Sequence, residues 1–222
     1  MELLDFLRQE GISESILSEV EHFRSFYQLK EGMERRIPTP QYSYYGKEIW
    51  EQALSTLLAG ENLLLVGPKA TGKNVLAEGL SAALRRPEWD VSFYINTDAA
   101  SLIGTDHATL DFRRTIAVPG YDRIVLNDAT RFIGTMNYGY AGTREINEAL
   151  ASRFMIIQMP VISEENLKKL ILEKYPDIKP DYKDQFAKLF EDIRRKCEGG
   201  EISTKALDLR GLLAAIRMMH RG

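Results

Sequence analysis

The chain contains one cysteine, Cys197, among its 222 residues. A single thiol excludes an intrachain disulfide and a zinc site built on several cysteines, and it fits a reducing cytoplasm. No apolar run approaches the roughly 20 residues that cross a bilayer. The first residues, Met-Glu-Leu-Leu-Asp, lack the basic start and apolar core of a signal peptide. We therefore expect a cytoplasmic protein without a membrane span.

A large excess of one charge sign is also missing. The 29 lysines and arginines against 32 aspartates and glutamates leave a net charge of −3, which argues against wholesale binding of nucleic acid. With 44% hydrophobic residues the chain can build a core. Its length suits one α/β domain with a small helical addition.

Hydrophobic spacing divides the chain into three parts. Residues 1–40 are predicted to be helical and to end in a proline-containing linker. Residues 41–160 combine helices with apolar, β-branched runs, and residues 161–222 show helical spacing only. We expect an α/β domain followed by an all-helical one.

Two helix boundaries and four strands can be predicted in more detail. A helix is predicted over Lys47–Ala59, and the third helix of the tail is predicted to begin at Ser203 or Thr204 and to run to about His220. Four apolar runs suit a parallel sheet that is buried on both faces. They are the run that ends at Gly67, and Val91–Ile95, Arg131–Met136 and Phe154–Met159.

The most informative stretch is residues 62–74, Asn-Leu-Leu-Leu-Val-Gly-Pro-Lys-Ala-Thr-Gly-Lys-Asn. An apolar run leads directly into the spacing G-x-x-x-x-G-K, and a helical pattern follows. This order indicates a phosphate-binding loop, in which backbone N–H groups surround phosphate oxygens and the helix N-terminus adds partial positive charge. The residues assigned to nucleotide binding here are Gly67, Pro68, Lys69, Ala70, Thr71, Gly72, Lys73, Asn74 and Val75.

Four residues of this loop define its expected chemistry. Gly67 and Gly72 are expected to take backbone angles that a side chain forbids, and Lys73 to contact the β- and γ-phosphates. Asn74 stands where such loops usually carry Ser or Thr, whose hydroxyl binds Mg²⁺. Because an amide carbonyl is also a hard oxygen ligand, Asn74 is the candidate metal ligand. The alternative, a glycine-rich turn without a ligand, is disfavoured because a strand and a helix flank the loop.

A second segment carries a family resemblance. Together with the phosphate loop and the helical tail, Met136-Asn-Tyr-Gly-Tyr-Ala-Gly-Thr-Arg-Glu-Ile-Asn-Glu-Ala-Leu-Ala-Ser-Arg-Phe154 resembles the MoxR-like AAA+ ATPases. Relatives of that family include the CbbQ/NirQ proteins, the gas-vesicle ATPase, midasin and dynein. The resemblance extends from Tyr42 to the C-terminus, and it implies that residues 38–45 lie on the adenine side of the nucleotide.

The resemblance also implies roles for single residues. Asn137 matches the sensor-1 residue that orients the attacking water. The alternative is an asparagine in a turn, but the position of the strand beside the phosphate loop favours the sensor role. Arg153 matches the arginine finger that reaches the nucleotide of a neighbouring subunit. Arg144 is a second candidate, for which a solvated helix arginine is an equal alternative. Lys205 or Arg210 would be the sensor-2 cation, and an ordinary surface charge without such a role is an equal alternative.

One element of the family pattern is missing. The resemblance requires a strand that ends in Asp-Glu, which binds Mg²⁺ and activates water. The run that ends at Asp128 is excluded, because two residues cannot form the crossover to a parallel strand that begins at Arg131. Compared with the family, the sequence lacks a stretch between Asp106 and His107 that would contain this acidic strand. We expect either an internal loss or a natural deletion that binds nucleotide without hydrolysing it.

The resemblance therefore implies a P-loop NTPase of the AAA+ type. Its complete fold is α/β, a five-stranded parallel sheet of order 5-1-4-3-2 flanked by helices, with an all-helical lid from about Val161. ATP and Mg²⁺ are the implied cofactors, and remodelling or maturation of a partner protein by a ring, a hexamer, is the implied activity. A von Willebrand factor A-domain protein is the implied partner, with no nucleic acid and no membrane. Two alternatives stay open: an interaction module without turnover, and a GTP-using relative of modification-dependent restriction systems.

Overall fold

The computed structural model describes residues 3–90, 110–111, 115–116, 124–137, 152–203 and 206–221. The helices in these ranges are α1 (Leu3–Gln9), α2 (Glu14–Phe26), α3 (Lys47–Leu58), α4 (Lys73–Ala83), α5 (Glu164–Lys174), α6 (Pro180–Glu198) and α7 (Leu209–Arg221). The strands are β1 (Leu63–Gly67), β2 (Leu110–Asp111), β3 (Thr115–Ile116), β4 (Ile124–Val125), β5 (Ile133–Asn137) and β6 (Met155–Gln158).

A three-stranded parallel sheet is the centre of the α/β part. β1 lies in the middle, with β5 on one side and β6 on the other. Leu63 is in register with Ile133 and with Met155, and all five residues of β1 are buried. The order implied by the resemblance places Arg131–Met136 and Phe154–Met159 on either side of the strand before the phosphate loop, and the three described strands agree with it. The expectation of burial on both faces is wrong for β5 and β6, which are mostly half-buried or exposed. The predicted strand Val91–Ile95 lies outside the described residues.

A second, smaller sheet contains the run before Asp128. β2, β3 and β4 are two residues each and pair antiparallel. Asn127 then closes a turn, because its side-chain Oδ1 accepts from the N–H of Ala129 at 2.9 Å and its carbonyl from the N–H of Thr130 at 2.8 Å. The inference that Asp128 does not end a strand of the parallel sheet is confirmed. The antiparallel sheet itself was not predicted.

Helices cover the parallel sheet and complete its core. α3 packs on β1 and β6, and α4 packs on β1 and β5. The predicted helix over Lys47–Ala59 is confirmed to within one residue, and Gly60 with φ +91° follows its end. The apolar faces of α1 and α2 belong to the same core, through Leu7, Leu17 and Val20. The N-terminal helices are therefore part of the domain and do not stand away from it.

The tail forms a helical unit with its own core. Leu167, Ile171, Phe190 and Ile216 belong to one buried cluster of α5, α6 and α7. The hydroxyl of Ser163 caps α5 by accepting from the N–H of Asn166 at 3.2 Å. Within the described residues, none of the helices has both the length and the apolarity needed to span a bilayer.

The predicted start of the third tail helix is wrong. α7 begins at Leu209, and the Asp208 carboxylate accepts from the N–H of Arg210 at 3.1 Å. Ser203 instead accepts, through its carbonyl, from the N–H of Ala206 at 2.9 Å, and Ala206 has 3₁₀ conformation and does not belong to α7. An ionised carboxylate satisfies the free N–H groups of a helix start better than a hydroxyl because it also complements the helix dipole. Thr204 lies outside the described residues.

Candidate functional site

The predicted phosphate loop connects the end of β1 to the start of α4. Ala70 and Gly72 have left-handed backbone conformations, with φ of +62° and +80°. A Cβ on Gly72 would also lie 3.0 Å from Cδ2 of Tyr44. The reason for glycine at position 67 differs from the expected one: its φ is not positive, but a Cβ there would lie 2.8 Å from the backbone oxygen of Met159. Both glycines are required, one by conformation and one by close packing.

Lys73 is the first residue of α4, and its side chain turns back into the loop. Its Nζ donates to the carbonyls of Gly67 at 2.9 Å and Pro68 at 2.5 Å and to Oγ1 of Thr71 at 3.2 Å. The Thr71 hydroxyl in turn donates to the Pro68 carbonyl at 3.0 Å. Lys73 is 7% exposed and Thr71 is 5% exposed. The loop thus holds an ammonium group in a ring of neutral oxygen atoms.

Among the residues that the structure describes, no carboxylate supplies a matching negative charge to this ammonium group. Burial lowers the pKa of Lys73 to about 8. A buried charge without a counter-charge is costly, and the N-terminal amides of α4 add further positive potential at the same place. The site is therefore electrostatically suited to an anion.

Two candidate residues lie close to this loop. Asn137 ends β5 in register with Gly67, so both lie at the carboxyl edge of the parallel sheet. Its side chain is exposed, as is that of Asn74 in the first turn of α4. Ligands of open α/β sheets bind outside this edge. The structure thus brings together Lys73, Asn74 and Asn137.

Of the candidate cations in the tail and in the second motif, the structure describes Arg153 and Arg210. Arg153 is half-buried and lies two residues before the start of β6. Since β6 is parallel to β1 and Met155 is in register with Leu63, Arg153 lies at the opposite edge of the sheet from Gly67, and the four residues from Leu63 to Gly67 alone span roughly 13 Å at about 3.3 Å per residue. Arg210 is exposed in the first turn of α7. Arg144 and Lys205 lie outside the described residues.

A cleft of about 300 Å³ lies beside the phosphate loop. It adjoins α4 at Val75 and Gly79, and its outer wall is the segment that was expected on the adenine side. α1 adds two apolar side chains that the sequence argument did not include. The lining residues are Leu3, Phe6, Pro38, Thr39, Pro40, Tyr42, Ser43, Tyr44, Trp50, Val75, Gly79 and Ala82.

Tyr44 lies where the cleft meets the phosphate loop, with its ring against Gly72. Its carbonyl accepts from Nε1 of Trp50 at 2.8 Å. Burial raises the pKa of Tyr44 to about 12, so the phenol stays neutral. The sequence marked residues 38–45 as a region, but no pattern within it distinguished Tyr44 from its neighbours.

Comparison with known proteins yields similar proteins that are themselves uncharacterized. The protein SH1500 of Staphylococcus haemolyticus is 28% identical over 220 residues, which cover 78% of this chain and 83% of that protein. YojN of Bacillus subtilis is 28% identical over 222 residues, which cover 80% of this chain and 73% of YojN. No family model matches the chain.

Both alignments are longer than the part of this chain that they cover. The match to SH1500 extends over 220 residues, yet it covers only 78% of a chain of 222. The match to YojN extends over 222 residues and covers 80% of this chain. Both relatives therefore have residues inside the matched region that have no counterpart here.

Proposed function

We propose that this protein is a MoxR-like AAA+ nucleotide-binding protein that takes ATP at the loop of residues 67–73. The observation that carries the proposal is the buried ammonium group of Lys73, which has no carboxylate partner in the described residues and lies at a helix N-terminus. A triphosphate would supply the missing negative charge, while the loop amides donate to its oxygens.

The cleft adjoins the loop through Tyr44, whose ring lies against Gly72, so one ligand could occupy both. Val75 and Gly79 belong to α4, whose first residue is Lys73, so a base in the cleft and phosphates on the loop lie along one helix. Lys73 would leave its carbonyl partners for the β- and γ-phosphates. The amide oxygen of Asn74, exposed in the same turn, would hold Mg²⁺, which neutralises phosphate charge when bound.

Adenine fits the cleft better than guanine. Both bases carry an exocyclic amine, but guanine adds an N1–H donor that needs a further acceptor when buried, and the lining residues include no aspartate or glutamate to supply one. We expect saturable binding of fluorescent ATP by the purified full chain, with GTP competing at least about tenfold more weakly. Equal competition would favour the GTP-using alternative, and the absence of saturable binding of either nucleotide would refute the proposal.

Nucleotide affinity is expected to decrease above pH 8. The pKa of Lys73 is about 8 in the free protein, and a nearby phosphate raises it, so above pH 8 binding must be accompanied by proton uptake. The affinity should be constant from pH 7 to 8 and then fall by up to about tenfold per pH unit. Titrations between pH 7 and 10 measure this.

Lys73→Arg is the matched control for the pH titration, because a guanidinium keeps its charge throughout. The variant should bind more weakly but without the decrease above pH 8. A decrease of the same size in both proteins would assign the pH dependence to another group.

The alternative of binding without turnover also rests on a specific observation. The sequence contains no acidic strand of the AAA+ type, and the relatives have inner residues without counterparts in this chain. We propose that the acidic pair of the relatives lies in that inner stretch. The chain should then bind ATP and release phosphate very slowly, and rapid phosphate release by the purified chain would contradict this.

Assembly into a ring, a hexamer in the proposal, is supported by the position of Arg153. Its distance from Gly67 exceeds the reach of an arginine side chain, so it can serve a nucleotide only in a neighbouring copy. The proposed activity of the complete assembly is remodelling of a partner protein, with a von Willebrand factor A-domain protein as the proposed partner. Sedimentation that shows only monomers at saturating ATP would contradict the ring.

A further inference from the structure

The segment of residues 41–45 lies between the nucleotide cleft and the helical tail, and its three tyrosines face different parts of the protein. Tyr42 and Tyr44 line the cleft, and the ring of Tyr44 lies against Gly72 of the phosphate loop. Tyr45 faces the tail. Its hydroxyl donates to Oε2 of Glu173 in α5 at 3.1 Å.

One face of α5 holds Tyr45 at three points. Besides the Glu173 contact, Nδ2 of Asn166 donates to the Tyr45 carbonyl at 3.1 Å, and Nζ of Lys169 lies 5.8 Å from the centre of the Tyr45 ring. These positions recur at helical spacing, so all three side chains project from the same side of α5. On the opposite side the ring of Phe6 meets the Tyr45 ring edge-on at 5.4 Å.

The same helix holds both flanks of the segment. At the C-terminal end of α5, Nζ of Lys174 donates to the Gln41 carbonyl and lies 4.6 Å from the centre of the Tyr42 ring. Lys169 also pairs with Glu10, which follows α1, at 3.3 Å. Burial and the neighbouring Glu173 carboxylate raise the pKa of Tyr45, so its hydroxyl remains a proton donor.

We propose that Tyr45 is a positioning residue through which α5 holds the outer wall of the nucleotide cleft. The inference rests on the proposed function, since it concerns the same cleft. Because α5 already holds this wall in the free protein, the wall does not have to become ordered when the base binds. This removes an entropic cost of binding. Because coupling is reciprocal, a nucleotide in the cleft must stabilise the contact between Tyr45 and α5 by the same factor.

The structure supplies a fluorescent reporter for the test. The chain has two tryptophans, and Trp89 is 58% exposed. In a Trp89→Phe background, the remaining indole of Trp50 lines the cleft and donates to the carbonyl of Tyr44. Its emission therefore reports directly on the segment of residues 41–45 during an ATP titration.

The experiment compares Tyr45→Leu and Tyr45→Phe with the parent. Tyr45→Leu, which loses the ring contacts and the hydroxyl, should weaken ATP binding about tenfold, and Tyr45→Phe, which loses one hydrogen bond, about threefold. Hydrogen exchange of residues 164–174 should be slowed by ATP in the parent and much less in Tyr45→Leu. Tyr182→Phe, an exposed tyrosine of α6, is the matched control and should leave both quantities unchanged.

A second pair of variants guards against an effect on folding alone. Glu173→Ala removes the acceptor for the Tyr45 hydroxyl and should weaken ATP binding about threefold, whereas Glu173→Gln keeps an acceptor oxygen and should restore most of the affinity. Parent-like affinity in Tyr45→Leu and Glu173→Ala, together with faster exchange of α5, would overturn the inference and leave the proposed function intact. Failure of the parent itself to bind ATP would overturn both.

Discussion

Lys73→Met is expected to weaken ATP binding by about a hundredfold or more. Methionine has nearly the length of lysine but carries no charge, so the β- and γ-phosphates would lose two charge-assisted hydrogen bonds of about 1.5–3 kcal/mol each. The positive potential of the loop would fall to that of the α4 N-terminus alone. The measurement is a titration of the variant with fluorescent ATP beside the wild-type protein.

The fold should survive this substitution, which separates loss of the site from loss of the structure. Removing a buried charge relieves a desolvation cost, while the carbonyls of Gly67 and Pro68 lose a donor. Because these effects oppose each other, we expect the free energy of unfolding to change by less than about 1 kcal/mol. Lys188→Met, at an exposed position of α6, is the matched control for removal of one positive charge. Wild-type affinity in Lys73→Met would refute the assignment of the loop.

Local patterns in the sequence were sufficient to predict the loop and the strands on either side of it, but not their order in the sheet. The spacing of Gly67, Gly72 and Lys73 is set by one turn of chain between a strand and a helix, so it is visible in a dozen consecutive residues. The apolar runs Arg131–Met136 and Phe154–Met159 indicated two further strands, and their order beside β1 was implied by the family resemblance. Of the three described parallel strands only β1 is buried along its whole length, whereas Met155 and Ile156 of β6 are exposed. The position of Asn137 beside Gly67 then follows from the sheet register.

Contacts between distant parts of the chain were not predictable in the same way. The requirement for glycine at position 67 comes from the backbone of Met159, and the cleft owes one wall to Phe6. Neither residue differs in pattern from an ordinary core residue, because a periodic pattern shows which face is buried and not what covers it. Tyr45 likewise gains its role only where α5 meets it.

Trp50→Ala is expected to cost about 3–5 kcal/mol of the free energy of unfolding, the usual cost of deleting a fully buried aromatic side chain. Trp50 is 1% exposed, and a Cβ on Gly79 would lie 2.7 Å from its Cη2. The indole thus fills the space between α3 and α4, where a cavity would remain. Nε1 also donates to the Tyr44 carbonyl, so the substitution also removes a hydrogen bond that holds the outer wall of the cleft.

The other tryptophan of the chain provides the matched control for this prediction. Trp89 is 58% exposed and its ring lies 5.2 Å from the guanidinium carbon of Arg36. Trp89→Ala should lower the free energy of unfolding by less than about 1 kcal/mol. The indole buries little apolar surface at this exposed position, and an exposed cation–π contact is weak. Urea unfolding of both variants measures the difference. Similar losses in the two proteins would mean that α3 and α4 do not pack through Trp50, and the cleft beside the phosphate loop would lose its structural basis.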